Sequence, residues 1–271
     1  MSVRVGIGGW TFEPWRGVFY PEGLVQKKEL PFAGERLKTI EINGTFYRTP
    51  SAKSCADWAG QVPDGFVFAL KATRYVTHRR VLAEAQESIG KFIASGIVEM
   101  GDRLGPINWQ FAATKAFDPE DFSAFLALLP ESHEGVRLRH AVEVRHPSFA
   151  VPEFVALARK HKVAVVYADH DDYPAIADVT ADFTYARLQR TREEEETGYA
   201  AAELDRWASA ARAWEKGVVP EGLPTLAPAA RAGKTGETGK ASRDVFIYLI
   251  SGAKVRNPAA AMALQARIDG P

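Results

Sequence analysis

Only one cysteine, Cys55, occurs in 271 residues. That excludes an internal disulfide and any multi-cysteine zinc or iron–sulfur centre, and it fits a reducing compartment. Cys55 reads as a small buried or half-buried side chain. No apolar run approaches the roughly 20 residues of a membrane-spanning helix. The chain does not open on the basic and apolar segments of a signal peptide, because Val3-Arg-Val-Gly-Ile-Gly8 already reads as a strand. Neither sign of charge is in excess, with 34 Lys and Arg against 34 Asp and Glu. No overall field therefore favours nucleic acid or an anionic membrane, and only a local basic cleft is compatible with such partners. No Gly-x-Gly-x-x-Gly opens a helix after any strand-like segment, which disfavours a doubly wound dinucleotide-binding sheet. The expectation is a soluble, cytoplasmic protein with no membrane partner.

What the chain has is core. Hydrophobic residues make up 46% of it, enough for one large domain over residues 1–271 that needs no covalent staple. The most informative stretch is Leu37-Lys-Thr-Ile-Glu-Ile-Asn-Gly-Thr-Phe-Tyr47, an apolar run that breaks abruptly into polar side chains. Side chains alternate across a strand, so Glu41 and Asn43 share one face while Ile40 and Ile42 share the other. A carboxylate and an amide thus point together at a strand's C-terminal end, where barrels of parallel strands place their chemistry.

Similar polar strand ends recur. Strands are expected at Val3–Gly8, 37–43, Phe66–Lys71, Leu104–Phe111, Leu138–His146, Val163–His170, Phe183–Gln189 and Asp244–Leu249. Apolar periodicity predicts a helix over Val81–Met100 with Gly101 as its stop, and others over Val151–His161 and Ala201–Lys216. Asp118 as N-cap and Pro119 at the first turn open a helix through Leu129, and Pro258 opens a final one toward Ile268. Eight strands, most of them followed by a helix, predict the α/β class and a single (β/α)8 TIM-type barrel with no internal repeat. The loop after the first strand is rich in aromatics. Trp10, nearest the strand end, is the expected pocket wall, with Phe12, Trp15 and Phe19 as packing. The basic loop 72–80 carries Thr77-His78 toward the mouth. Residues 217–243 read as a flexible insertion whose Gly-Lys-Thr lacks the spacing of a phosphate-binding loop.

Closing such a barrel brings Glu41, Lys71, Gln110, Glu143, Arg145, Asp169 and Arg187 to one mouth. Glu41, Lys71 and Glu143 are the candidate catalytic residues. Trp10, Asn43, Tyr47, His78, Gln110, Arg145, His146, Asp169 and Arg187 are the candidate substrate-binding ones. Cations suit a phosphate or carboxylate, and one Glu would move a proton. A Lys near Arg145 and Arg187 has its pKa pushed down, which makes it a base or a Schiff-base amine. The alternative is that Lys71 neutralises Glu41 or Glu143 in an interior ion-pair network. No cofactor is expected. A divalent metal, if held, would take Glu41, Glu143 and Asp169, although the nearby cations compete with it, and His146 and His170 lie off those faces. Three readings follow. The first is an enzyme using Glu/Lys acid–base chemistry on a small phosphorylated or carboxylated, sugar-like molecule. The second is a nucleic-acid processing barrel, not favoured, in which the aromatic loop stacks bases and Arg74, His78, Arg79 and Arg80 follow phosphates. The third is a non-catalytic binding protein.

The same residues carry a family likeness. Gly8-Gly-Trp10 with Trp15 and Phe19-Tyr-Pro21, Glu41-Ile-Asn43 with Thr45-Phe-Tyr47, Thr77-His78, Leu104-Gly-Pro106 with Gln110, Glu143-Val-Arg145-His146 and Tyr185-Ala-Arg187 together resemble the YecE-like family, also called domain of unknown function 72. The likeness runs over nearly the whole chain in order, and it implies a TIM-type barrel and no known reaction. Three places depart from the family pattern. Gln189-Arg190 stands where the family usually has His-Gly, Gln110-Phe-Ala-Ala where it has Gln-x-Pro, and Leu249-Ile-Ser-Gly252 where it has an Asn-rich turn. The 217–243 insertion looks like an addition.

Overall fold

Eight parallel strands close on themselves. The computed structural model describes residues 3–227 and 243–270. We number the barrel strands β1 (Val3–Gly8), β2 (Thr39–Ile42), β3 (Val67–Lys71), β4 (Leu104–Gln110), β5 (His140–Glu143), β6 (Ala164–Asp169), β7 (Phe183–Leu188) and β8 (Asp244–Leu249). Each pairs with its sequence neighbours, and β1 pairs with β8 from Val3 opposite Val245 to Ile7 opposite Leu249, which closes the ring. This is the single (β/α)8 TIM-type barrel expected from the sequence. Around it lie the helices α1 (Glu29–Arg36), α2 (Ala52–Ala59), α3 (Arg74–Thr77), α4 (Gln86–Ile93), α5 (Pro119–Ala127), α6 (Pro152–Lys160), α7 (Ala201–Glu215) and α8 (Asn257–Asp269). None of the described helices is long and apolar enough to cross a membrane. The insertion expected over 217–243 lies mostly outside the described residues, at 228–242.

Strand alternation separates two cores. Val5, Ile7, Ile40, Leu70, Trp109, Val142, Tyr167, Ala186 and Ile247 belong to the large cluster that includes the helices. Val67, Ala69, Ala141, Ala164, Val166, Phe183, Tyr185, Phe246 and Tyr248 form a separate cluster inside the barrel. Small side chains on β3, β5 and β6 face bulky rings on β7 and β8, so the interior is filled rather than hollow. The Tyr185 and Tyr248 rings lie 4.9 Å apart, and the Tyr248 hydroxyl bonds Thr39 Oγ1 at 2.9 Å. Near the N-terminal ends, Asp244 accepts from Arg4 at 2.9 Å and from Arg139 at 2.7 Å. Gly6 is required where β1 meets β2, because a Cβ there would stand 1.8 Å from the Thr39 carbonyl oxygen.

Three expectations are corrected. The helix predicted over Val81–Met100 is a 3₁₀ turn at Leu82–Glu84, α4, and a 3₁₀ segment at Ile97–Arg103. Gly96 sits between them at φ +97°, and a Cβ on it would meet Ala52 at 2.4 Å, so close packing on the start of α2 breaks the helix. The second strand is shorter than 37–43, and Asn43 leads instead into a 3₁₀ turn at Gly44–Phe46. The fifth is His140–Glu143 rather than Leu138–His146, preceded by a small hairpin pairing Ser132–His133 with Val136–Arg137. Cap chemistry is as read: Asp118 Oδ1 accepts from the Glu120 and Asp121 N–H groups at 3.1 Å, with Pro119 in the first turn. Cys55 is fully buried.

Candidate functional site

The C-terminal ends of the strands open on a cavity of about 1200 Å³. Its floor is a charged layer. Glu41 and Glu143 share the inward face of β2 and β5, and both are fully buried. Arg187 lies between them, with Nη1 2.6 Å from Glu143 Oε2 and Nη2 3.0 Å from Glu41 Oε1. The other oxygens are also taken. Glu143 Oε1 accepts from Arg145 Nε at 3.0 Å and Nη2 at 2.8 Å, and its Oε2 also accepts from Gln110 Nε2 at 2.8 Å. Glu41 Oε2 accepts from the buried Tyr185 hydroxyl. Asn108 Nδ2 spans the two, 3.3 Å from Glu143 Oε2 and 3.5 Å from Glu41 Oε2.

Burial raises the Glu143 carboxyl, but the Arg187 and Arg145 charges and the Gln110 hydrogen bond outweigh it and hold it down at about 2. The Arg187 guanidinium is held charged, because the two carboxylates outweigh its burial. Glu143 is therefore a fixed anion, and all four carboxylate oxygens of Glu41 and Glu143 are bonded, whereas the buried Arg187 Nε has no partner among the described residues.

Lys71 stands at the inner end of β3 beside this layer and is excluded from it. Among the described residues no hydrogen bond or ion pair holds its ammonium, whose Nζ lies 4.2 Å over the Phe46 ring. The sequence alternative that Lys71 neutralises Glu41 or Glu143 is not what the structure shows, since both carboxylates are paired with arginine. Burial foremost, and then the Arg187 charge, lower the Lys71 amine from its usual 10.5 to about 8.

The walls come from the loops that follow several of the strands. The aromatic loop after β1 supplies Trp10, edge-on to Trp58 at 5.7 Å. It is anchored by fully buried Trp15, whose indole N–H bonds the Lys254 carbonyl at 2.9 Å. Lys254 in turn places Nζ 4.2 Å over Phe12. The turn after β2 supplies Asn43, Phe46 and exposed Tyr47, and His78 packs its ring 5.4 Å from Phe46 at the rim. Arg145 stacks 4.5 Å over Tyr173, which lies against His170 at 4.2 Å.

Of the predicted site residues, Trp10, Asn43, Tyr47, Lys71, His78, Gln110, Arg145 and Arg187 line the cavity, with Glu41 and Glu143 sealed beneath it. His146 and Asp169 are elsewhere. His146 caps the turn at Pro147–Phe149, its Nδ1 2.8 Å from Ser148 Oγ and accepting the Ser148 N–H. Asp169 shares its face with Tyr167 on the outer side of β6, pairs with Arg190 at 3.1 Å, and lines a separate cleft beside α7. The metal set of Glu41, Glu143 and Asp169 is thus not assembled: Arg187 separates the first two, and among the described residues no three metal-binding groups come together. In the basic loop, Arg79 turns back onto the Tyr75 carbonyl and Ser88. Sequence reasoning missed Phe46, Asn108, Tyr185 and Lys254 as site residues. Asn108 was readable, since it shares the Gln110 face of β4. Lys254 gave no signal before the aromatic loop folded onto it.

The fold and its charged mouth define a TIM-type barrel with a polar pocket. A family model described as "Protein of unknown function DUF72" matches residues 4–270, and the chain belongs to that family. No curated protein matches it. Its fold is similar to that of a DUF72 family protein from Thermotoga maritima, at 23% identity over 98% of this chain and 97% of the other, with a TM-score of 0.70. A DUF72 family protein from Enterococcus faecalis is similar at 14% identity, 99% and 96% coverage and a TM-score of 0.68.

Proposed function

We propose that the barrel mouth binds a small anionic molecule, phosphorylated or carboxylated and sugar-like, and that Lys71 moves the proton in its conversion. One observation carries this reading. Among the described residues the charged side chains lining the cavity are Arg48, Lys71, Arg145, Arg187 and Lys254, and no Asp or Glu lines it. The carboxylates that would balance them are beneath the floor and already bonded. A pocket of one sign attracts an anion, and a guanidinium grips phosphate or carboxylate by paired hydrogen bonds. The Trp10 and Trp58 wall suits the apolar face of a sugar ring, and Asn43 and Gln110 offer it amide partners.

The division of labour follows from protonation. A base must be partly free of its proton near the working pH. Glu143, held at about 2, returns a proton poorly, whereas Lys71, at about 8, exchanges one readily. Glu143 is thus a positioning residue that orients Arg187 and Arg145, Glu41 holds the other end of Arg187 by its hydrogen bond, and Lys71 is the acting group.

The test is thermal stabilisation by inorganic phosphate, citrate and glucose 6-phosphate at constant ionic strength, with glucose as the neutral control. The anions are expected to raise the melting temperature of the wild type, and Arg145→Ala to weaken that response by roughly tenfold in concentration. Equal responses from the wild type and the variant would reject the site.

A further inference from the structure

Two carboxylates lie near Lys71, yet its ammonium rests on an aromatic face. A lysine locked in a salt bridge is kept protonated and has its nitrogen blocked by acceptors. Lys71 is in no such bridge among the described residues: Arg187, Arg145, Gln110, Asn108 and Tyr185 occupy the oxygens of Glu41 and Glu143, whose charges raise the amine less than burial lowers it. Its side chain lines the cavity instead. The Phe46 ring that carries Nζ at 4.2 Å also receives the His78 ring at 5.4 Å. An amine and an imidazole thus share one aromatic seat at the edge of an anion-attracting pocket.

We propose that Lys71 forms a Schiff base with an aldehyde or ketone that carries a carboxylate or phosphate. This rests on the reading of the mouth as an anion pocket, and it makes Lys71 a nucleophile once its amine has given up the proton. The neutral amine attacks the carbonyl carbon, a C–N bond forms, and the carbonyl π pair moves to oxygen, which takes the proton that the attacking nitrogen gives up. The carbinolamine then loses its hydroxyl as water, with the proton supplied by His78, while the nitrogen lone pair closes the C=N⁺ bond. In sum, ammonium and carbonyl give iminium and water, the proton that the ammonium first releases returning when the hydroxyl leaves. Arg145 or Lys254 holds the anionic group, which places the carbonyl against Nζ. The iminium withdraws electrons from the neighbouring carbon, so the class of chemistry opened is cleavage of a C–H or C–C bond beside a carbonyl.

Reductive trapping tests it on the full chain at pH 7. Glyoxylate supplies the carboxylate arm, glyceraldehyde 3-phosphate the phosphate arm and propionaldehyde the uncharged arm, each with cyanoborohydride and peptide mapping by mass spectrometry. Lys71 is expected to be labelled by at least one anionic carbonyl roughly tenfold or more faster than exposed Lys53 and Lys91, because it lines the anion-attracting cavity and burial lowers its amine to about 8. His78→Asn should slow that labelling. Labelling that follows exposure alone, with Lys71 no faster than Lys53, overturns the Schiff base. If the anions still raise the melting temperature in that case, the pocket reading stands alone, and if they do not, both fall. Equal labelling of Lys71 by propionaldehyde would remove the anion requirement.

Discussion

Arg187 Nη1 stands 2.6 Å from Glu143 Oε2, with both side chains buried in the floor of the barrel mouth. The pair is not isolated, because the other end of the same guanidinium holds Glu41. Removing Arg187 would leave Glu41 buried without a paired cation and Glu143 with Arg145 alone. Breaking a buried pair from one side costs about 3–5 kcal/mol. Arg187→Met should therefore lower the unfolding midpoint in denaturant by a corresponding amount. Adding Glu41→Gln should recover part of the loss, since one uncompensated charge then goes. Equilibrium unfolding of the single and double variants checks this.

Glu143 links stability to acid. Its folded-state pKa, about 2, lies below the usual 4.5, so the unfolded chain takes up its proton first. The contribution is complete above about pH 4.5 and is lost as pH falls toward 2, amounting to about 3 kcal/mol at one pKa unit per 1.36 kcal/mol. Glu143→Gln should be less stable than the wild type at pH 6, and the gap should narrow through that window. Urea unfolding at several pH values is the measurement.

His140 governs a different window. Its ring accepts the Trp109 indole N–H at Nδ1, 3.0 Å away, and lies 2.8 Å from the Pro130 carbonyl through Nε2, which fixes the tautomer with the proton on Nε2. Burial lowers its pKa from 6.5 to about 4. A base depressed in the folded state binds its proton more readily when unfolded, so stability is full above about pH 6.5 and falls between there and about 4. The histidine C2–H resonance should titrate near pH 4, and His140→Gln should flatten the stability profile between 4 and 6.5.

Asp169 should be silent at the mouth. It faces the cleft beside α7 and pairs with Arg190, which is exposed. Asp169→Asn is expected to leave the response to phosphate and citrate unchanged and to shift stability by less than about 1 kcal/mol, as for other partly exposed pairs. Thermal titrations beside the wild type check both.

The eight-strand order and the inward set of Glu41, Glu143 and Arg187 were legible because a strand's two-residue period assigns faces without tertiary knowledge. The same period placed Asp169 with Tyr167, whose ring packs on Trp207 and Trp214 outside the barrel. Grouping residues by chemical type rather than by parity put Asp169 at the mouth. Other features depend on contacts distant in sequence. Gly96 breaks a helix because of Ala52, and Phe46 seats Lys71 only because the chain turns at Gly44–Phe46. Saturation of the carboxylates is legible only when β2, β5 and β7 are neighbours across the interior.

The aromatic packing of the interior, with Phe183, Phe246, Tyr185 and Tyr248 above the Arg4–Asp244–Arg139 cluster, makes the mouth a cul-de-sac. Among the described residues the filled interior gives no passage through the floor. A molecule that leaves must cross the cavity that the next one enters, so two anions of similar size compete for the same cations. Their effects on the protein should be mutually exclusive rather than additive.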